Sequence, residues 1–506
     1  MIVDDQYYDI IIIGTGAGGG TLAYKLAPTG KKILILERGG FMPLEEQNRS
    51  SVDVFRKERY RAPEQWYDLA GEPFSPQTNY AVGGNTKIYG SALLRMRERD
   101  FEAVKHQDGL SPEWGLKYSD FEPYYTEAEQ LYKVHGHAAS DPTEPPRSAE
   151  YPYPAVAHEP QIQAVVDAIA QQGLHPTAIP LGLTLQDDDP TNDSEVSGIA
   201  PALKFPNVTL KTNAKAMYLH TNESGKVVKA VQADVNGKPH LFLGDLVVVS
   251  CGAINSAALL LRSTNEVHPH GIANSSDLVG RNLMKHQITS VVQLSAPNSG
   301  KFQRSVSVND FYWGEKDFPY PMGHIQNTGG LLQDVIFAES PPMLSVVAKM
   351  MPNFGLQQLA TRSIGWWVQT EDLPDPNNRV RMNGDKLCVD YTANNIETHA
   401  RLVYRWTEVL KTIEKSVKQS VLQRSGMHPS GEVPLSVVAN QCGTCRFGTD
   451  PTSSVLDLNC RTHEVDNLYV VDGSFFPSNA GVSPALTILA NALRVGDHLI
   501  DRLQVG

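Results

Sequence analysis

Gly14, Gly16 and Gly19 stand within the run Gly14-Thr15-Gly16-Ala17-Gly18-Gly19, and Glu37 follows downstream. Glycines at this spacing bring backbone amides close to a ligand, and the start of a helix presents free N–H groups, so together they bind a pyrophosphate. Gly14 permits a tight turn, Gly16 lets the backbone approach the phosphates, and Gly19 lets helix and strand pack closely. Glu37, ~20 residues on, is placed to accept hydrogen bonds from a ribose diol. An acid there disfavours a 2′-phosphate, so FAD or NAD fits better than NADP.

These residues need particular elements around them. Ile10–Ile13 reads as the centre of a short buried strand, Thr21–Leu26 has helical composition, and Lys32–Leu36 reads as a second strand ending at Glu37. Strand, glycine turn, helix, strand and acid form a dinucleotide-binding unit in its required context. Farther on, Asp100–Gly136 is helical in parts, with Phe121, Tyr124, Tyr125, Ala128 and Leu131 as a core-packing stripe. Ala138–Pro160 reads as a surface loop. Strands are expected at Asn207–Thr212, Gly225–Val235 and Leu241–Ser250, the last leading through Cys251-Gly252 into a small-residue helix. The stretch from Ser290 to Arg424 fits a separate sheet with helices, in which LPDPNNRV at 373–380 is a turn opening a strand. Leu468–Val471 is a further strand, followed by Asp472-Gly473-Ser474 and a helix from Pro484.

Composition narrows the function classes. A chain of 506 residues suggests two or three domains. Lys and Arg total 44 against 56 Asp and Glu, a net charge of −12, which argues against nucleic acid as a main partner. The longest apolar runs fall short of the ~20 residues that span a bilayer, and MIVDDQYYD lacks the basic and apolar regions of a signal peptide. With five cysteines, a disulfide framework is not expected. A cytoplasmic protein without a membrane partner is the expectation. Cys442 and Cys445 form a CxxC, but a zinc site needs further ligands at metal spacing, so packed thiols and no metal are expected. Of the adjacent Trp366 and Trp367, at most one is a site residue, because neighbours in a strand face opposite sides.

Five segments together resemble the glucose–methanol–choline (GMC) oxidoreductases, FAD-dependent enzymes that mostly oxidise alcohols. They are GTGAGGG at 14–20, AVGGNTKIYGSALLRMR at 81–97, VVSCGAINSAALLL at 248–261, GTCRFGTDP at 443–451 and LYVVDGSFFPSNAGVSPALTILANALRVGDHL at 468–499. The resemblance implies an α/β fold: a Rossmann-type FAD-binding domain from 1–135, 200–289 and 431–506. A substrate domain on an antiparallel sheet with helices, 136–199 and 290–430, would be interleaved with it. It also implies that Gly14, Gly16, Gly19 and Glu37 hold the ADP half of FAD, and that Gly83, Gly84, Asn85 and Thr86 line the pyrophosphate and flavin. Ala216 is implied as the backbone contact to adenine, and Asp472 and Gly473 as the second FAD loop. Pro484 and Thr487 would begin a helix whose positive end faces the flavin and stabilises an anionic reduced form. Some relatives bind FAD covalently through a histidine near the GG pair. Residues 85–90 contain none, so non-covalent FAD is expected.

The implied activity is hydride transfer from a CH–OH group of a small organic substrate to flavin N5, with an electron acceptor or O2 as further partner. In the family a histidine base precedes the GTC-type motif, paired with a His or Asn before Pro-Ala-Leu-Thr. This sequence carries Asn440 and Ser483 there. Neither is a useful base at neutral pH, and losing a positioned base typically costs ~10²–10⁴-fold in rate. Four readings stay open. Another group or water takes the proton, with His286, His324, His428 and His463 as candidates. Alternatively Asn440 and Ser483 serve a lyase, isomerase or decarboxylase reaction, or the protein is a catalytically silent flavin binder, or the register is slipped.

Overall fold

Ile10–Ile13 are almost wholly buried, as a strand covered on both faces must be. They end β1 (Ile2–Ile13), which lies inside a seven-stranded sheet. The computed structural model of the chain describes all residues except 44, 50–52, 55–56, 139, 186–191, 295–303, 330–362, 417–427, 429, 438 and 505–506. Helix α1 (Ala17–Leu26) links β1 to its parallel neighbour β2 (Ile33–Leu36). On its other side β1 runs parallel to β2's counterpart β3 (Lys238–Val249). Strand Val208–Lys211 extends the sheet beyond β2, and Leu468–Val470 pairs in parallel with the end of β3. Ala214–Thr221 and Val228–Val235 form an antiparallel ribbon leading into β3. The first of these two strands was not foreseen from the sequence. The carboxyl ends of the parallel strands converge on one edge, where ligands bind in open α/β sheets.

Helix α2 (Ala253–Arg262) leaves that edge after β3. The helix Tyr118–Leu131 buries Phe121, Tyr125 and Ala128 of the expected stripe, while Tyr124 and Leu131 are only partly covered.

A second, six-stranded antiparallel sheet is ordered Ser430–Glu432, Gln287–Leu294, β4 (Ser363–Thr370), His324–Gly329, Val306–Val308 and Pro176–Ala178. Alternation along β4 sends Trp366 and Val368 into a core shared with the helices Pro160–Ala170 and Ile396–Ser416. There Trp366 packs edge-on against Trp406, with ring centroids 4.6 Å apart. The opposite face carries Trp367 and Gln369. The expected turn at 373–380 opens the strand Arg379–Asn383, paired with Lys386–Asp390. That hairpin packs into the first core through Val380, Leu387 and Val389 and pairs Cys388 with Tyr67, although its sequence position falls within 290–430. Parts of the 290–424 stretch lie outside the described residues. The architecture is thus a Rossmann-type α/β domain interleaved along the chain with a domain built on an antiparallel sheet. The last helix, α3 (Ala485–Gln504), returns to pack on α1. Among the described residues, no helix is long and apolar enough to cross a membrane.

Candidate active site

A cavity of about 620 Å³ lies on the carboxyl edge of the first sheet and reaches the second. Its wall holds Gly14, Thr15, Gly16, Ala17 and Gly18 from the turn into α1. Gly14 has φ +104°, and a Cβ there would run into the Ser250 carbonyl. A Cβ on Gly18 would strike the Val471 carbonyl, so strand ends from both chain termini crowd this turn. Gly16 differs: no heavy atom lies within 4 Å of where its Cβ would be, and α1 has no side-chain cap. Uncapped N–H groups facing open space form an anion cradle. Gly19 is off the wall and packs against the Gly14 carbonyl, the close-approach role read from the sequence.

Glu37 lines the cavity but is also a brace. Its Oε2 accepts from the Thr15 amide (3.1 Å) and Thr15 Oγ1 (2.6 Å), and its Oε1 accepts from the Gly39 amide (3.0 Å). Burial pushes its pKa up, against the pull of these bonds. Thr15, which the sequence reading passed over, fixes the acid to the turn. Gly84, Asn85 and Thr86 are on the wall; Gly83 is behind it, its amide donating to Thr15 Oγ1 at 3.0 Å. Asn85 Oδ1 accepts from Thr78 Oγ1 and the Asn79 amide, and Thr86 Oγ1 donates to the Gly83 carbonyl. Ala216 lines the cavity beside Lys215, whose pKa burial lowers. Nearby, Arg38 pairs with Glu64 at 2.8 Å and lies over the Tyr80 ring.

Asp472 ties the chain ends together. Its Oδ2 accepts from the Gly252 amide (2.9 Å) and Ser256 Oγ (2.5 Å), and its Oδ1 from the Ser474 amide (2.8 Å). Burial raises its pKa too. Gly473 lines the wall, where a Cβ would meet the Gln441 carbonyl. Ser483, Pro484, Ala485 and Ile488 bring the start of α3 to the cavity. Thr487 does not reach it. Its hydroxyl is 2.8 Å from Tyr125 Oη in the core, because a helix residue three past the start turns to another face.

Asn440 and Ser483 share this cavity with Trp367, Val437 and Ala439. Asn440 has φ +54°, a left-handed conformation that asparagine tolerates. Its Nδ2 donates to Gln369 Oε1 at 3.3 Å, which leaves Oδ1 as the accepting atom of that amide. Gln369 is fully buried, and its Nε2 donates to the Gly481 carbonyl at 3.0 Å, two residues before Ser483. One glutamine therefore positions both segments. No sequence signal marked it.

None of the four histidine candidates lines the cavity, nor does any other described histidine. His286 is buried with Nε2 3.0 Å from the Ala480 carbonyl, so its expected place near the flavin is corrected to a structural one in the adjoining loop. His324 meets Asn309 Oδ1 at 2.7 Å, and burial pushes it down to about 3. His428 sits near Glu414, and His463 bonds Ser454 Oγ at 2.9 Å. Of the tryptophan pair, Trp367 is the cavity residue. Cys442 and Cys445 are free, fully buried thiols whose pKa values burial raises.

Family models described as GMC oxidoreductase match residues 8–288 and 374–492. The chain belongs to the GMC oxidoreductase family. It is 28% identical to the 6'''-hydroxyparomomycin C oxidase of Streptomyces lividus, over 99% of this chain and 92% of that protein. It is 27% identical to the 2-methyl-1,2-propanediol dehydrogenase of Mycolicibacterium austroafricanum, over 99% and 97%. The fold matches the crystal structure of pyridoxine 4-oxidase from Mesorbium loti with a TM-score of 0.70 at 18% identity, covering 97% of this chain and 99% of that one. This GMC protein is thus an FAD-dependent oxidoreductase. The residues present fit FAD: an open glycine cradle, an uncapped helix start and an acid at the end of β2 face one cavity.

Proposed function

We propose that this GMC oxidoreductase oxidises the CH–OH group of a small organic alcohol by hydride transfer to N5 of non-covalently held FAD. Asn440 and Ser483 would lie at the reacting end. The observation that carries the reading is that one cavity has both the glycine cradle and the Asn440–Ser483 pair on its wall. Relatives named as oxidases and dehydrogenases support the direction of reaction. Bound FAD supplies the two-electron acceptor.

The chain's own groups would do the rest. Asn440 Oδ1 accepts a hydrogen bond from the substrate hydroxyl, and Gln369 holds the amide in that orientation. Ser483 offers a hydroxyl as a second polar contact. The start of α3 turns its positive end toward the cavity and favours negative charge developing there. Neither Asn440 nor Ser483 takes a proton at neutral pH, so the hydroxyl proton passes to water. Trp367 covers the site with an apolar ring. Non-covalent binding is supported by a wall without histidine and by Cys251, whose thiol burial pushes up to about 12 and so leaves un-ionised.

Two tests follow from the reading. Denaturation should release all yellow chromophore into the supernatant; colour retained on the precipitate contradicts non-covalent FAD. Anaerobic mixing with primary and secondary alcohols should bleach the flavin with at least one of them.

A further inference from the structure

Arg304 lies on the wall of the same cavity, ahead of the strand Val306–Val308. Its Nη2 donates to Gln326 Oε1 at 3.2 Å. Gln326 stands directly opposite Trp367 in the second sheet, and opposed residues project from the same face. Two residues along that face is Gln369, which holds Asn440. Arg304 therefore belongs to the reacting side of the cavity. A second observation fixes how it gets there. Its Nη1 occupies the place where a side chain on Gly90 would begin, and Gly90 also lines the cavity. The glycine leaves room for the guanidinium.

The neighbouring wall residues Trp367, Val437, Ala439, Asn440 and Ser483 are uncharged. A guanidinium among them is a planar fork of donors matched to a carboxylate, in surroundings where charge-assisted bonds are strong. We propose that Arg304 is a specificity residue that takes a carboxylate on the substrate, making the substrate class a hydroxy acid. This rests on the alcohol-oxidation reading above, with Asn440 receiving the hydroxyl and Arg304 the acid group of one molecule.

The test is binding to the oxidised holoenzyme, read by flavin absorbance and tryptophan fluorescence, which needs no turnover. Glycerate is compared with glycerol, and glucuronate with glucose. At least one carboxylate should bind ~10- to 100-fold tighter than its neutral partner. Arg304→Gln should remove that preference and leave neutral binding unchanged, and Arg304→Lys should restore part of it. Gly90→Ala, which displaces the guanidinium without altering its charge, should reproduce the loss. Equal binding within both pairs overturns the proposal, as does an Arg304→Gln protein that weakens both members by the same factor. Anaerobic bleaching of the same complexes reports separately on oxidation. Carboxylate preference without bleaching keeps the Arg304 site and removes the alcohol reading. Bleaching by neutral alcohols without carboxylate preference does the reverse.

Discussion

At the glycine-turn end of the cavity the binding groups are backbone amides, fixed by glycines such as Gly14 and Gly18 that admit no Cβ. At the Asn440 end they are side chains, delivered by β4, by the residues before Val306, by the 437–441 segment and by the approach to α3. The first end is local in sequence and rigid, because sheet and helix dictate where its amides point. The second is assembled from distant segments, and its geometry depends on single hydrogen bonds such as Asn440 Nδ2 to Gln369 Oε1. A cofactor cradle of the first kind can be kept while the reacting end of the second kind is rewritten residue by residue.

The largest expected effect separates fold from ligand at the cradle. Gly18→Ala drives a Cβ into the Val471 carbonyl and should abolish soluble yellow protein. Gly16→Ala meets open space, so it should keep the native melting temperature yet lose most bound FAD, measured as the ratio of flavin to protein absorbance. If both variants lose fold together, the cradle is not the separable unit described.

Next comes the missing base. Asn440→His should speed anaerobic flavin reduction by ~10²–10⁴-fold and add a rise in rate through the imidazole range as pH increases. The native enzyme should lack that rise. Stopped-flow reduction across pH checks both.

Gln369→Leu has a smaller effect. It leaves the Gly481 carbonyl and the Asn440 amide without their partner, at a cost of ~1–3 kcal/mol in stability, with slower reduction but unchanged FAD content. Thermal unfolding and flavin content distinguish this from damage at the cradle.

The smallest effect is on pH dependence. Asp100 accepts from Tyr312 Oη at 2.7 Å, which in turn accepts from the Gly481 amide behind Ser483. Burial raises Asp100 to about 7 from an ordinary 3.8. A raised carboxyl favours the folded state most below 3.8, and that contribution is lost as pH rises toward 7. Asp100→Asn should flatten this part of the fall in Tm between those pH values.

The same contrast decides what the sequence could reveal. The turn Gly14–Gly19 and Glu37 were legible because a phosphate cradle needs glycine at fixed offsets beside a buried strand. The helices beginning at Ala253 and Ala485 were legible for the same reason. Asn440 and Ser483 were found only because flanking motifs fixed their places. Gln369 and Arg304 carried no signal, since their roles come from which face of an antiparallel sheet they occupy and from contacts with Asn440, Gln326 and Gly90 far away in sequence. The hairpin at Arg379–Asp390 looked like part of the second unit because local patterning marks a strand but not the core it joins.

The most direct test of the account is anaerobic mixing of the native holoenzyme with a panel of primary and secondary alcohols, hydroxy acids included, while flavin absorbance is followed. Bleaching by at least one of them, without a rate rise through the imidazole pH range, is the predicted result. A flavin that stays yellow with every member, and bleaches only after Asn440→His, would contradict the account.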